Sequence, residues 1–278
     1  LIEKLEQANV GGNCLELFKL YLINRQQLTV VDGCKSEVRK ITAGIPQGSK
    51  LGPILFILYT NDIQKYIESK IALYSDDTSL LVSGLNPSET SEILNRDLIR
   101  ISAWAKKWKI KFNADKSCDI LFSTKPHPTN SLIVLNGQTI KKVTEHKHLG
   151  IYLTSTLEWI KQIHEVCLKA NRKLAVLRSI HYIQQKTLDL LYKVLVRSVI
   201  DYALPVYYHT LNITQKKRLS QIQYRAGKLC TGAMHLSSQL KVEQEMGWIS
   251  IEKRADFLSL CLFHKILCGH TRPLVRKC

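Results

Sequence analysis

The sequence predicts an α+β fold in residues 1–155, followed by an all-helical region in residues 156–278. In the first region, short apolar runs with hairpin-turn signals alternate with segments of helical periodicity. From Trp159 onward, apolar residues recur every three or four positions with basic residues between them, a pattern typical of helices. Because strands and helices interleave before this change and helices alone follow it, we predict a domain boundary near residue 155.

The N-terminal segment predicts two helices and a hairpin. Gly11-Gly12 splits the first 25 residues into two helical pieces, and an apolar stripe supports the second piece. The stripe consists of Leu15, Phe18, Leu22 and Ile23. In the following segment, LTVVDGCKSEVRKITAG, the pair Asp32-Gly33 is a strong turn signal, so we expect two antiparallel strands.

The central segment predicts a loop, a helix and a second hairpin. GIPQGSKLGPILFILYTNDIQKYI begins as a Gly-rich loop and becomes an apolar helix, with Pro53 in its first turn. KIALYSDDTSLLVSG then places a polar turn between two short apolar runs, which favours a hairpin with the two aspartates at the turn.

The remainder of the first region predicts one long helix and several strands. Residues from about Ser88 to Lys109 show helical periodicity, with Ile93, Leu94, Leu98, Ile101 and Trp104 on one side. A strand follows near Cys118 to Phe122. A third hairpin is predicted to turn at Asn136-Gly137, ahead of a strand in HKHLGIYLT.

The charge of the chain is basic and unevenly distributed. There are 40 Lys and Arg against 23 Asp and Glu, and the net charge of +17 divides into +5 for residues 1–150 and +12 for residues 151–278. Such a charge suggests a polyanionic partner, most often nucleic acid, although a solubilising surface or a membrane-surface helix would also account for it. Aromatic residues among these charges suit occasional base stacking, but core packing is their more common role. They are Trp159, Tyr182, Tyr192 and Tyr224.

Neither a membrane span nor a disulfide framework is predicted. The longest apolar candidate, Leu51 to Tyr59, falls far short of the roughly 20 residues that cross a bilayer. The eight cysteines form no C-x-x-C pair, which favours a reduced intracellular protein. Four residues near the end could begin a zinc knuckle, but ordinary helix-face cysteines explain them as well. These are Cys261, Cys268, His270 and Cys278.

Two short motifs carry candidate chemistry. Asp76 and Asp77 at a tight turn could present two carboxylates at one exposed place, as Mg²⁺ ions that act on phosphates require, although Asp is also common in turns for conformational reasons. About thirty residues earlier, the loop Gly44–Ser49 could approach a large ligand closely because its glycines carry no side chain. Gln47 adds both a donor and an acceptor, yet an ordinary loop before a helix would have the same sequence.

In order and spacing, these segments together resemble the reverse transcriptases of non-LTR retrotransposons, in particular the jockey-like LINE type. GIPQGSKLGPILFILYTNDI is similar to motif B, and LYSDD to the motif C box. LNRDLIRISAWAKKWKIKFNADKS resembles motif D, and HKHLGIYLTSTLEW resembles motif E, the primer grip. The later helices, including KANRKLAVLRSI and LYKVLVRSVIDYALPVYY, resemble the thumb and the region beyond it, so the resemblance covers essentially the whole chain.

The resemblance implies a right-hand polymerase palm, an antiparallel sheet with packed helices, in residues 1–155 and a helical thumb and C-terminal region in residues 156–278. It implies an RNA-directed DNA polymerase that works by two-metal nucleotidyl transfer, with two Mg²⁺ (or Mn²⁺) ions in the complete enzyme. The partners would be an RNA template, a DNA primer and deoxynucleoside triphosphates.

Individual roles follow from the same resemblance. Asp76 would be a metal ligand and Asp77 a weaker or auxiliary one. Lys116 would neutralise or protonate the departing pyrophosphate, although a solvated surface lysine explains this position almost as well. The residues that contact the template, the primer or the incoming nucleotide would be Gly44, Pro46, Gln47, Gly48, Tyr74, Leu149 and Gly150, the last two forming the primer-grip turn.

The chain departs from the family pattern at two places. Ser75 stands where Ala is usual, and LIEKLEQANVGG resembles the segment directly after motif A, so motif A with its third metal-binding aspartate and the fingers are absent from these 278 residues. We therefore expect a piece of a longer polyprotein that polymerises no DNA by itself. Two alternatives stay open: an inactive nucleic-acid-binding relic or domesticated module, and a splicing maturase-like role.

Overall fold

A computed structural model describes residues 1–42, 44–46, 48–123, 132–234 and 236–270. Within these described ranges the chain forms two compact units, the first from residues 1–119 and 132–142 and the second from residues 120–123 and 143–270. The segment around Leu149 therefore groups with the helical region, whereas the domain boundary near residue 155 stays a prediction.

The helices match the predicted helical segments, and they make up most of the second unit. Those of the first unit are α1 Ile2–Gln7, α2 Gly12–Leu22, α3 Gly52–Thr60 and α4 Pro87–Trp108, with a 3₁₀ helix Asn61–Tyr66. Those of the second are α5 Ile160–Ser179, α6 Gln185–Leu191, α7 Ser198–Asp201, α8 Leu204–Tyr207, α9 Ile213–Thr231, α10 Gln239–Glu245 and α11 Ile251–Leu267. A π-helical stretch, Tyr192–Arg197, joins α6 to α7, and a 3₁₀ helix, Tyr208–Thr210, follows α8. Within the described ranges, no helix combines the length and the apolar character that crossing a bilayer requires.

The strands of the described residues pair two by two. They are β1 Gln26–Gln27, β2 Val30–Val31, β3 Cys34–Lys35, β4 Arg39–Lys40, β5 Lys70–Tyr74, β6 Asp77–Leu81, β7 Cys118–Asp119, β8 Val134–Leu135, β9 Gln138–Thr139, β10 Lys141–Lys142, β11 Glu145–His148 and β12 Ile151–Thr154. The pairs are antiparallel except β7 with β10. The α+β mixture is confirmed, but the described strands form six small sheets where one antiparallel sheet was expected. Five of the six pairs join segments close in sequence, which costs little loop-closure entropy.

Three hairpins lie where the sequence predicts them, with turns at Asp32-Gly33, Ser75-Asp76 and Asn136-Gly137. The prediction of a single strand in HKHLGIYLT is wrong, because this segment is itself a hairpin in which His148 pairs with Ile151. Leu149 and Gly150 reverse the chain there with φ of 45° and 83°. Leucine is not a turn signal, so periodicity alone could not reveal this turn.

Helix α4 supports the β5–β6 hairpin. The helix begins where the Asn86 side chain accepts a hydrogen bond from the Ser88 amide, and it ends where Lys109 adopts the left-handed conformation, with φ of 56°. Its buried face carries Ile101 and Trp104, which form one cluster with Ile71 of β5. This packing holds the strand that leads to the two aspartates.

The second unit has a continuous apolar core made by α5 through α9 together with α11. Two of the aromatic residues considered for base stacking, Trp159 and Tyr192, are buried in it. Tyr224 is half-buried: its hydroxyl donates to the Ser237 carbonyl, and the Lys228 ammonium lies 4.6 Å from the centre of its ring. Of the four, Tyr182 alone is largely exposed, so core packing explains most of this aromatic content.

Candidate active site

The β5–β6 hairpin presents Asp76 and Asp77 at its tip. Tyr74 pairs with Asp77 in the last step of the ladder, which leaves Ser75 and Asp76 as the turn, with a φ of 53° at Ser75. Both aspartates and Tyr74 are exposed. The predicted hairpin is therefore confirmed, with Asp76 in its turn and Asp77 as the first residue of β6, while the roles of both aspartates in metal binding and catalysis stay predictions.

Neither aspartate carboxylate has a hydrogen bond or an ion pair within the described part of the chain. The two exposed carboxylates of these consecutive residues are thus hard oxygen donors, a donor type that suits Mg²⁺ or Mn²⁺. Among the described residues, no three His, Cys, Asp or Glu side chains gather as a metal site. The described donors therefore fit part of a two-ion site, whose remaining oxygen ligands would come from water, phosphates or further carboxylates.

Sequence reasoning missed Asp97, which anchors the base of this hairpin. Its side chain is fully buried and accepts hydrogen bonds from the backbone amides of Glu68, at 3.1 Å, and Ser69, at 2.7 Å. The Ser69 hydroxyl also donates to it, and Arg100 Nη1 lies 3.3 Å away. Burial by itself raises the pKa of the Asp97 carboxyl, but the bonds from Ser69 and Glu68, with the Arg100 charge, lower it overall. The sequence did contain a signal for this role, because Asp97 is a single carboxylate on the apolar side of the predicted helix.

The loop before α3 has the conformation that its glycines allow. Gly44 and Gly48 have φ of 78° and 77°, a region that side-chain-bearing residues rarely adopt, and a Cβ at either position would meet open space. The Ser49 hydroxyl accepts a hydrogen bond of 2.9 Å from the Gly52 amide at the start of α3. Pro46 is half-buried, and Gln47 lies outside the described residues. The described part of the loop exposes backbone to solvent, as contact with a ligand would require.

Lys116 lies in the loop between α4 and β7. The Asn113 side chain accepts hydrogen bonds from the amides of Asp115 and Lys116, at 3.0 and 3.3 Å, which fixes the turn. The Lys116 side chain is exposed and forms no ion pair with the described residues. This position is open to an external phosphate and equally to solvent, so its role stays a prediction.

The cysteines near the end do not form a metal site within the described residues. Cys261 lies on α11, and Cys268 directly follows this helix. The sulfur of Cys268 lies 3.4 Å from His264 Nε2. Cys278 lies outside the described residues, so the zinc hypothesis is untested there.

Comparison with known proteins decides the family. Residues 1–153, more than half of the chain, match the family described as "Reverse transcriptase (RNA-dependent DNA polymerase)". The chain belongs to the reverse transcriptase family. The matched range contains both aspartates, the motif B loop and the turn at Leu149-Gly150.

Relatives among known proteins confirm the resemblance to jockey-like, non-LTR reverse transcriptases. The chain is 28% identical to the "RNA-directed DNA polymerase from mobile element jockey" of Drosophila funebris, over 77% of this chain and 24% of that protein. It is 30% identical to the jockey polymerase of Drosophila melanogaster, over 53% of this chain and 17% of that protein. The chain is 32% identical to the "Probable RNA-directed DNA polymerase from transposon BS" of the same species, over 56% of this chain and 18% of that protein. The chain thus spans a quarter or less of these relatives' length.

Proposed function

We propose that this chain is the palm and thumb of an RNA-directed DNA polymerase that copies retrotransposon RNA inside the cell. The observation that carries the proposal is the β5–β6 hairpin, which exposes two unpaired aspartates at its tip in a chain of the reverse transcriptase family. Residues 1–155 would form the palm and residues 156–278 the thumb and C-terminal region.

Asp76 and Asp77 would hold the divalent ions. Because neither carboxylate is engaged by another described side chain, both are free to bind a cation without breaking a native contact. Two Mg²⁺ (or Mn²⁺) ions, when bound, would activate the attacking hydroxyl of the primer and stabilise the leaving pyrophosphate. Asp97, which fixes the start of β5, would act through the backbone to hold these carboxylates at their place.

The other predicted site residues would position the reactants. Tyr74, which is 67% exposed, would contact the primer terminus, and the backbone around Gly44, Pro46, Gln47 and Gly48 would lie against the template and the nucleotide. Lys116 would offset the charge of the leaving pyrophosphate. An exposed lysine can serve in this way with no rearrangement of the described ion pairs, since it takes part in none.

Helices α5 and α9, which pack on each other, would bind the nucleic-acid backbone. They carry ten of the chain's basic residues and a single acidic one, Glu165. We define the basic helix pair by six of these residues that form no ion pair with the described residues. They are Lys169, Arg172, Lys173, Lys217, Arg218 and Arg225. A cluster of unpaired cations on adjacent helices suits phosphates better than it suits a protein surface that merely needs solubility.

Polymerase activity is tested by primer extension. The 278-residue chain and a version extended upstream in its own reading frame are given Mg²⁺, an RNA template with an annealed DNA primer, and deoxynucleoside triphosphates. We expect extension by the longer protein, its loss in Asp76→Ala, and no extension by the shorter one. An active longer protein that tolerates Asp76→Ala would refute the assignment of the catalytic hairpin.

The basic helix pair is tested by binding single-stranded RNA across a salt series. The logarithm of the affinity should fall linearly with the logarithm of the salt concentration, and replacing Lys169, Arg172 and Lys173 by Gln should reduce the slope by about 2, at about 0.7 per phosphate contact. The matched control replaces Lys241, Lys253 and Lys265 by Gln and should change the slope less. A flat salt response would exclude the electrostatic account, and binding without any extension would favour an inactive relic.

A further inference from the structure

Three hairpins of this chain have turns with nearly the same pair of positive φ angles. Asp32-Gly33 has φ of 48° and 82°, Asn136-Gly137 has 52° and 81°, and Leu149-Gly150 has 45° and 83°. Asp and Asn tolerate the first of these positions because their short polar side chains bond to the local backbone. Leucine has no such means, so Leu149 holds a conformation that its own chemistry disfavours.

The core of the second unit does not explain why a leucine occupies this position. The neighbouring residues Ile151 and Leu153 pack against that core, but Leu149 is not among the side chains that do so. Leu149 is only half-buried. A residue in a strained conformation persists when other contacts hold it there, and such residues cluster at functional sites.

Tyr202 supplies that contact from the end of α7. Its hydroxyl donates a hydrogen bond of 2.6 Å to the Leu149 carbonyl oxygen, across 53 positions in sequence. The ring covers the second turn residue, since a Cβ on Gly150 would lie 3.5 Å from it. Two positions beyond the turn, in β12, the Tyr152 amide donates a 3.0 Å hydrogen bond to Gln162 Oε1 of α5. The hairpin is therefore tied to α5 through the backbone of β12 and to Tyr202 at its turn.

We propose that Tyr202 is a positioning residue, which fixes the backbone of the Leu149-Gly150 turn so that the turn meets the DNA primer. The inference rests on the proposed function, because only primer binding gives the turn a ligand. Tyr202 itself stays about half exposed, and the next residue, Ala203, also has a positive φ, of 54°. The backbone therefore adopts a disfavoured conformation on both sides of this contact, at Leu149 and at Ala203. The hydrogen bond holds these two segments together.

Hydrogen exchange tests the positioning directly and without any nucleic acid. In the full chain, Tyr202→Phe removes one hydroxyl and should speed exchange of the amides of residues 148–151 by roughly fivefold, the effect of losing one ordinary hydrogen bond. Tyr224→Phe is the matched control, because it removes a tyrosine-to-carbonyl bond elsewhere in the same unit. It should leave the turn amides unchanged. Equal exchange at the turn in wild type and Tyr202→Phe would overturn the proposal.

A second substitution separates positioning from general destabilisation. Adding Leu149→Asn to Tyr202→Phe relieves the backbone strain with a residue that favours this conformation, as Asn136 does in its own turn. The double variant should recover slow exchange at the turn. If it exchanges as fast as Tyr202→Phe alone, the strained leucine is not what Tyr202 restrains, and the proposal fails.

Binding then links the turn to the primer. Affinity of the full chain for an RNA template with an annealed DNA primer, measured by fluorescence anisotropy, should fall roughly fivefold in Tyr202→Phe. No binding by the wild-type chain would contradict the proposed function, and with it the role of the turn. Normal binding by Tyr202→Phe would contradict the inference alone.

Discussion

The two units differ in how they bury their apolar side chains. Within the described residues, the second unit has one cluster of 22 buried residues, whereas the first has separate clusters of 6, 5 and 3. The first unit instead relies on individual anchors, such as Asp97 under β5 and the buried Lys4, whose ammonium lies 2.6 Å from Asp62. Its candidate catalytic residues lie on a two-stranded hairpin, a structure that is marginal without support.

This difference predicts that the two units respond differently to single substitutions. A large core tolerates the loss of one surface contact, because many side chains share the stabilisation. A hairpin that packs on a small cluster and is anchored by a single buried carboxylate tolerates such a loss less well, so single polar substitutions should disturb the candidate active site more than they disturb the helical unit. The following predictions test the comparison, from the largest expected effect to the smallest.

The largest effect should come from the core of the second unit. Leu177 is fully buried, and Leu177→Ala should cost about 3–5 kcal/mol because many neighbours lose contacts around the cavity. Leu135→Ala, in a smaller cluster of the first unit, should cost about 2 kcal/mol. Exchange of the slowest amides in each unit measures both values, since the units need not unfold together. Equal costs would remove the distinction between one core and several.

Asp97→Ala should cost about 3 kcal/mol in the first unit, because it leaves the amides of Glu68 and Ser69 buried without an acceptor. Since the folded state lowers the pKa of Asp97, its contribution should be complete above about pH 4 and should disappear as the pH falls through the lowered value.

The matched variant Asp97→Asn keeps the shape of the side chain and removes its titration. Acid unfolding followed by the exchange of β5 amides should therefore lose this component of its pH dependence in Asp97→Asn. A wild-type first unit whose stability does not change between pH 5 and pH 2 would contradict the assignment of Asp97 as a charged anchor.

The smallest effect compares two glycines with the same conformation. Gly33 and Gly150 have φ of 82° and 83°, so replacement of either by Ala carries an intrinsic penalty of about 1–2 kcal/mol. Gly150→Ala should show the full cost, because its hairpin is tied to α5 and Tyr202. Gly33→Ala should show less, because both strands beside it are exposed and can fray. Exchange of each hairpin's amides gives the comparison, and a larger cost at Gly33 would reverse it.

Local patterns in the sequence determined the elements. Asp32-Gly33 and Asn136-Gly137 specify their turns because both residue types accept positive φ, and the helical periodicity of residues 88–109 specifies α4 because it buries one face. The aspartates were found in the same way, as polar residues between two apolar runs. These features depend on neighbours in the chain, so the chain by itself reveals them.

Tertiary structure decided what depends on distant partners. The family resemblance implied the turn at Leu149-Gly150, but local patterns did not reveal it, because its stabilising contact comes from Tyr202, which lies 53 positions away. The role of Asp97 is likewise visible only once its carboxylate is seen to accept the amides of Glu68 and Ser69, nearly thirty residues earlier. The division of the core into one large and three small clusters also follows from packing between separate helices and hairpins. A single sequence shows which residues are apolar, but only the folded chain determines which of them meet.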